Sequence, residues 1–349
     1  MQDILDQLQS WAKAGNEFAL ATVVSTWGSS PRPVGAHMAV RADGSMLGSV
    51  SGGCVEGAVV QEAIELLESG PARLLKFGVS DESAWQVGLA CGGSIEVFIQ
   101  RFDLSMLEPI ASGLSERKTR ALVTVISGPS SLLGTTGYFN ESGFIAGASP
   151  EALTDRLESQ IAEAIKQGRS MRLPIELEGE AIEYFIDVFM PSPTIIMIGG
   201  VHISVALVAL ARSLGYRTIV IDPRRSFASH ERFPAVDQLI QSWPEQGLEA
   251  VGIDANTAVA VLTHDPKIDD PALKQALQSP AFYIGALGSR STHAKRVERL
   301  RQEGLTDAML ARLRAPIGLD IGARTPQEIA LSILAEITAA RHDKLAMTA

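Results

Sequence analysis

Apolar and polar positions alternate in two different ways along this chain. Up to about Met190 they form short runs with a period near two: Phe18-Ala-Leu-Ala-Thr-Val-Val24, Ser94-Ile-Glu-Val-Phe-Ile-Gln100, Arg120-Ala-Leu-Val-Thr-Val-Ile126 and Glu183-Tyr-Phe-Ile-Asp-Val-Phe189. That is the pattern of half-buried strands. Helical spacing interrupts it. Residues 54–69 place Val60, Ile64 and Leu67 on one face ahead of a Gly70-Pro71 stop, and a second helix is predicted from about Glu151 to Gln167. This mixed order predicts an α+β domain over residues 1–190.

Pro191-Ser-Pro193 marks the boundary. Beyond it, apolar runs at 194–198, 217–221, 258–263 and 282–287 alternate with amphipathic stretches, the grammar of a parallel sheet covered by helices. The helix after the last run carries Lys295 and Arg299 on its wet side. Thr325-Pro-Gln-Glu328 announces a final helix, with threonine as N-cap, proline at the first helical position and glutamate closing a capping box. The predicted fold class is α/β: an N-terminal α+β domain, residues 1–190, then a C-terminal parallel-sheet domain, residues 191–349.

The turn Gly199-Gly-Val-His-Ile-Ser204 leads from the first of these strands into a helix whose Ile203, Leu207, Leu210 and Leu214 share a face. Asp222 ends the next strand about 20 residues on, where a dinucleotide fold sets the acid that binds a ribose hydroxyl. Of the three fingerprint glycines only Gly199 is kept, with Val201 and Ser204 at the other two places. A branched valine Cβ fills the space through which backbone approaches a pyrophosphate. Two readings stand: a phosphate-bearing ligand at the helix N-terminus, or a turn kept only to build the sheet. NAD(P) binding is the disfavoured alternative. Asp222-Pro-Arg-Arg225, Thr263-His-Asp-Pro266 and Gly285-Ala-Leu-Gly-Ser-Arg290 all end strands on the same carboxyl edge. Asp222, Arg224, His264, Gly288 and Arg290 are therefore candidate ligand residues, although Asp265-Pro266 also reads as a plain N-cap and helix start.

A length of 349 residues exceeds what one hydrophobic core usually serves, and 46% hydrophobic with 20% charged residues is a globular composition. The net charge of -10 opposes binding to nucleic acid or to an acidic membrane surface. No apolar run approaches the ~20 residues that cross a bilayer. Met1-Gln-Asp-Ile-Leu-Asp6 carries acid where a secretory signal has lysine or arginine, so a cytoplasmic location is expected.

Only two cysteines are present, which argues against a disulfide framework and a four-cysteine zinc site, and both adjoin paired glycines: Gly52-Gly53-Cys54 and Cys91-Gly92-Gly93. In one reading Cys54, at a helix N-terminus, is a reactive thiolate and a soft metal ligand, with Cys91 facing a second gap. In the other both are small buried residues in tight turns. Arg32 within Pro31-Arg-Pro33, His37 and Glu56 are further polar candidates.

Several long strings occur together and in order: Ser30-Pro-Arg-Pro-Val-Gly35, Gly48-Ser-Val-Ser-Gly-Gly-Cys-Val-Glu56, Gly88-Leu-Ala-Cys-Gly-Gly93, the Gly199 turn with His202, Thr263-His-Asp265, Tyr283-Ile-Gly-Ala-Leu-Gly-Ser-Arg290 and Pro316-Ile-Gly-Leu-Asp-Ile-Gly-Ala-Arg-Thr-Pro326. Over nearly the whole chain this resembles the XdhC/CoxI family of xanthine dehydrogenase accessory proteins. The resemblance implies an XdhC/CoxI-type first domain and a Rossmann-like second. It also implies a chaperone, with no turnover of its own, that transiently binds the molybdenum cofactor (molybdopterin). Such a chaperone supports exchange of a terminal oxo ligand for sulfur with a cysteine desulfurase and delivers the product to a xanthine dehydrogenase-type molybdenum hydroxylase. On this basis Cys54 is the metal-facing cysteine and Cys91 its companion. Arg32, Gly52, Gly53, Glu56, Gly92 and Gly93 would bind the cofactor in the first domain, and Gly199, Gly200 and His202 would join the second-domain candidates. The family turn is a fuller Gly-x-Gly-His-x-Gly, and His37 stands where a lysine is expected. A homodimer would cover exposed edge strands. The rival readings are an NAD(P)-dependent oxidoreductase using Asp222 or Arg224-Arg225, and a thiol switch pairing the two cysteines.

Overall fold

The computed structural model of the chain describes residues 1, 3–28, 32–78, 93–148, 155–177 and 179–344. They divide into two compact units, Met1–Pro191 and Ser192–Ala349.

The first unit opens with α1 (Leu5–Lys13), β1 (Phe18–Trp27), β2 (His37–Arg41), β3 (Met46–Gly48), α2 (Glu56–Glu68), β4 (Arg73–Phe77) and β5 (Ser94–Arg101). The same string of helix, three strands, helix and two strands then recurs as α3 (Leu107–Ser115), β6 (Arg120–Ser127), β7 (Thr136–Asn140), β8 (Gly143–Gly147), α4 (Asp155–Gln167), β9 (Met171–Leu177) and β10 (Glu180–Phe189). Each half forms a five-stranded antiparallel sheet of one topology, β3-β2-β1-β5-β4 and β8-β7-β6-β10-β9, with its last strand inserted beside its first. The α+β reading is therefore correct for this unit, and its architecture is a repeat that the sequence pattern did not disclose. Arg172 ties the halves together, donating to Glu183 at 2.7 and 2.5 Å and to Glu96 of the other sheet.

Helix α2 lies against the first sheet and buries Val59, Ala63 and Leu66. The predicted face of Val60, Ile64 and Leu67 is off by one position; those side chains flank the buried stripe and are half-exposed. The reason is steric, since Ala63 permits closer approach to the sheet than Ile64 would. The helix also starts at Glu56, two residues after Cys54.

The second unit runs β11 (Thr194–Ile198), α5 (His202–Ser213), β12 (Arg217–Ile221), β13 (Gln238–Ile240), α6 (Pro244–Val251), β14 (Thr257–Val261), α7 (Pro266–Gln278), β15 (Tyr283–Ala286), α8 (Arg290–Gln302), α9 (Asp307–Leu310), β16 (Leu313–Arg314) and α10 (Pro326–Arg341). Its six strands are all parallel in the order β13-β12-β11-β14-β15-β16. Counted from β11 this is 3-2-1-4-5-6, the dinucleotide-fold order, so the Rossmann-like expectation is correct. Separate cores fill the two faces, one with α7 and the other with α5 and α10. Helix α5 buries Ser204, Leu207, Val208 and Ala211, whereas Leu214, expected on that face, is 54% exposed. Among the described residues no helix is long and apolar enough to cross a membrane.

The capping box at Thr325 is present with both reciprocal bonds. Thr325→Ala should cost about 1 kcal/mol, measured as a fall in the denaturation midpoint at unchanged m-value; an unchanged midpoint would show that the box contributes nothing.

Candidate functional site

Hairpin β2–β3 ends at Gly48, whose φ is +77° and where any Cβ would stand 2.3 Å from the His37 carbonyl oxygen. From there residues 49–55 make a turn pinned at both ends, because Val50 and Val55 are fully buried in the core beneath the first sheet while Gly52, Gly53 and Cys54 are exposed. The reason for the paired glycines is the backbone, at φ +81° for Gly52 and +120° for Gly53, conformations that L side chains resist. Nothing stands within 4 Å of a Cβ built on Gly53 or Gly57, so the surface beside the exposed thiol is open.

The turn is folded around one carboxylate. Glu56 Oε1 accepts from Ser49 Oγ at 2.6 Å and from the amides of Val50, Ser51 and Gly52 at 3.2, 2.8 and 3.0 Å; Oε2 accepts from Ser51 Oγ at 2.5 Å and from the Gly53 amide at 2.8 Å. Ser51 Oγ in turn accepts from the amides of Cys54 and Val55, both at 3.0 Å. Every amide from Val50 to Val55 is thus engaged inside the turn. Burial alone would raise the Glu56 carboxyl, but hydrogen bonds from the Ser49 and Ser51 side chains and from the turn's backbone outweigh it and bring its pKa down to about 2. The amides of Gly52 and Gly53, expected to meet a ligand, therefore face Glu56, and the Cys54 sulfur is the chemically active group left at the tip.

Arg32 joins the root of this turn, its Nε donating to the Ser49 carbonyl at 3.1 Å. His37 lies inside the unit, with Nε2 2.7 Å from Asp187 Oδ2 and its ring stacked on Phe189; burial holds its pKa below the usual histidine range. Gly93 is buried at the entry to β5, and Cys91 and Gly92 lie outside the described residues. Among the described residues no three His, Cys, Asp or Glu side chains gather into a metal-holding group. A metal at Cys54 would thus have to bring most of its own ligands.

In the second unit the carboxyl edge of the sheet is joined by buried polar contacts. Asp222, fully buried, accepts from the Gly200 amide at 2.8 Å and from Arg224, whose Nε and Nη2 donate at 2.9 and 2.7 Å. Burial raises that carboxyl, but the Arg224 bonds prevail and leave it below the usual range. The Arg224 guanidinium also stacks 3.8 Å over the Phe227 ring, and the Phe227 carbonyl would lie 2.3 Å from a Cβ on Gly200. At the switch point between β11 and β14, Thr263 Cγ2 would lie 2.4 Å from a Cβ on Gly199. Thr263 donates its hydroxyl to Asp269, which also takes Arg296 Nη2 at 3.2 Å. His202, His264 and Arg290 are exposed, and Gly288 sits at the turn into α8 with φ +139°. Asp265 is the N-cap of α7, with Pro266 opening the helix. Nothing in the sequence pattern marked Arg296, which falls in the middle of a largely polar helix that is anchored to the core by Val297 and Leu300.

Two family models match: the XdhC and CoxI family over residues 11–78, and the XdhC Rossmann domain over residues 195–337. A Bacillus subtilis protein, named there as a probable xanthine dehydrogenase component, is 31% identical over 333 residues, 93% of each chain. The Escherichia coli molybdenum cofactor insertion chaperone PaoD is 29% identical over 329 residues, 94% of this chain and 85% of that one. A crystal structure from Bacillus halodurans, described as a xanthine dehydrogenase, superposes with a TM-score of 0.77 at 25% identity, covering 99% of this chain and 97% of the other.

The Glu56 clasp gives a test with a sign. A carboxylate only accepts, and all six of its contacts here donate to it; in Glu56→Gln an amide NH2 would face backbone donors, at a cost of about 2–3 kcal/mol at neutral pH. Because the folded pKa of about 2 lies below the ordinary 4.5, the charge-linked stability is complete above pH 4.5 and lost as pH falls toward 2. Denaturation midpoints should fall through that window in the wild type and lack this component in the variant. Equal stability of the two proteins at pH 7 would contradict the assignment.

Proposed function

Because this chain belongs to the XdhC and CoxI family, we propose that it is an accessory chaperone. It takes up the molybdenum cofactor as cargo, holds it while a cysteine desulfurase replaces an oxo ligand by sulfur, and inserts it into a xanthine dehydrogenase-type molybdenum hydroxylase. The observation that carries this reading is the exposed Cys54 thiol on a turn whose amides are already engaged. A sulfur donor is a soft ligand suited to molybdenum. One protein ligand on open ground fits cargo that must leave again better than a resident metal, which takes three or four protein ligands.

The roles of the neighbouring residues follow. Glu56 and Ser51 fix the position of the sulfur without touching the cargo. Gly52 and Gly53 keep side chains out of its way. Arg32 brings positive charge to the root of the turn, where the anionic cofactor would sit in a chain of net charge -10. In the second unit a phosphate-bearing ligand at the carboxyl edge agrees with the fold. Use of NAD(P) there is disfavoured, because Arg224 and the Gly200 amide occupy Asp222 and the Phe227 backbone lies against Gly200.

Protein purified from cofactor-replete cells should release oxidised pterin, read by its fluorescence. Cys54→Ala should release several-fold less while keeping the wild-type denaturation midpoint, since its side chain is exposed. Equal pterin from both would remove Cys54 from the site.

A further inference from the structure

Beneath the head of α8 lies a buried charge that the rest of the unit satisfies only in part. Arg296 is 1% exposed, yet only its Nη2 is hydrogen-bonded, to Asp269 Oδ2 at 3.2 Å and to the Leu287 carbonyl at 3.0 Å. Its Nε and Nη1 are buried and have no hydrogen-bond partner. Leaving charged donors unpaired inside a protein is costly, so such an arrangement points to a missing acceptor. The side chain leans toward the start of its own helix, with Nη1 3.7 Å from the place a Cβ on Gly288 would occupy.

That helix start is exposed and rich in donors. Ser289 is the N-cap, its Oγ accepting from the Thr292 amide at 3.2 Å. The hydroxyls of Ser291 and Thr292 lie 2.9 and 3.0 Å from the same oxygen. Ser289, Arg290 and Ser291 all face solvent. The opening amides of a helix have no partner within it and carry the positive end of its dipole. Gly288, at φ +139°, places backbone alone beside Arg296 Nη1.

We propose that residues 288–292, with Arg296 beneath them, form an oxyanion site for the phosphate group of a phosphate ester. This rests on the reading of the second unit as the holder of a phosphate-bearing ligand and supplies the residues that would do so. The hydroxyls and first-turn amides hold the phosphate oxygens, and Arg296 furnishes a fixed positive charge behind them. Asp269 and the Leu287 carbonyl keep the guanidinium aimed at the helix head.

Inorganic pyrophosphate titrated calorimetrically into the full chain tests the site. The wild type should bind saturably. Arg296→Met and Ser291→Glu should each weaken binding about tenfold or more, a loss of 1.4 kcal/mol or more, while Arg301→Met, which breaks only exposed pairs with Glu298 and Asp307, should stay within about twofold of wild type. Ser291→Glu adds a carboxylate where a helix start welcomes one, so it folds even if Arg296→Met does not. No saturable binding by the wild type, or full binding by Ser291→Glu, would overturn the proposal, as would an equal loss in Arg301→Met. Displacement of pyrophosphate by the molybdenum cofactor or by NADPH identifies the carrier, and either supports the site. Pyrophosphate binding that the cofactor does not displace would sink the cargo reading of this unit and leave the site standing.

Discussion

One carboxylate organises the candidate site. Glu56 begins α2 and turns back to take hydrogen bonds from two serine hydroxyls and four successive amides, closing the loop whose ends Val50 and Val55 anchor in the core. The arrangement is an anion-binding nest filled by the protein's own anion. Two consequences follow for chemistry. The paired glycines serve the turn's geometry ahead of any ligand, and the sulfur two residues before the helix is held on a rigid tip with open ground around it.

How much of this was legible in sequence follows from where each strand sits. The four strands read in the first unit are β1, β5, β6 and β10, the central pairs of its two sheets. Those read in the second are β11, β12, β14 and β15, the middle of its six. Central strands are covered on both sides and must be apolar, so they announce themselves. Edge strands need not be: β13 and β16 are three and two residues long, and β8 carries Gly143 and Gly147 at its ends. Because the outer strands were silent, the doubled topology of the first unit was silent too. The cysteine-and-glycine string was legible as a candidate site, but not the position of Glu56, since a pattern of residue types does not say which way a carboxylate turns.

The second unit shows the same limit from the other side. Its strand order and the place of Asp222 are those of a dinucleotide fold, while its turn keeps only the first of the three fingerprint glycines. Asp222 turns inward to Arg224 and Gly200, and the buried line from Thr263 through Asp269 to Arg296 moves the available positive charge one strand along the edge, to β15. Fold order thus locates the edge where ligands meet such sheets, while the pairing of buried charges decides which strand end keeps donors free.

The central claim is that the turn's amides belong to Glu56 and Ser51 and that the cargo meets sulfur. Amide hydrogen exchange of residues Val50 to Val55, followed in the free chain and with the molybdenum cofactor present, tests it directly. The account predicts amides already protected in the free chain and no further slowed by the cofactor. Fast exchange that becomes protected only on cofactor binding would mean that these amides are the ligand's own donors, and the account would be wrong.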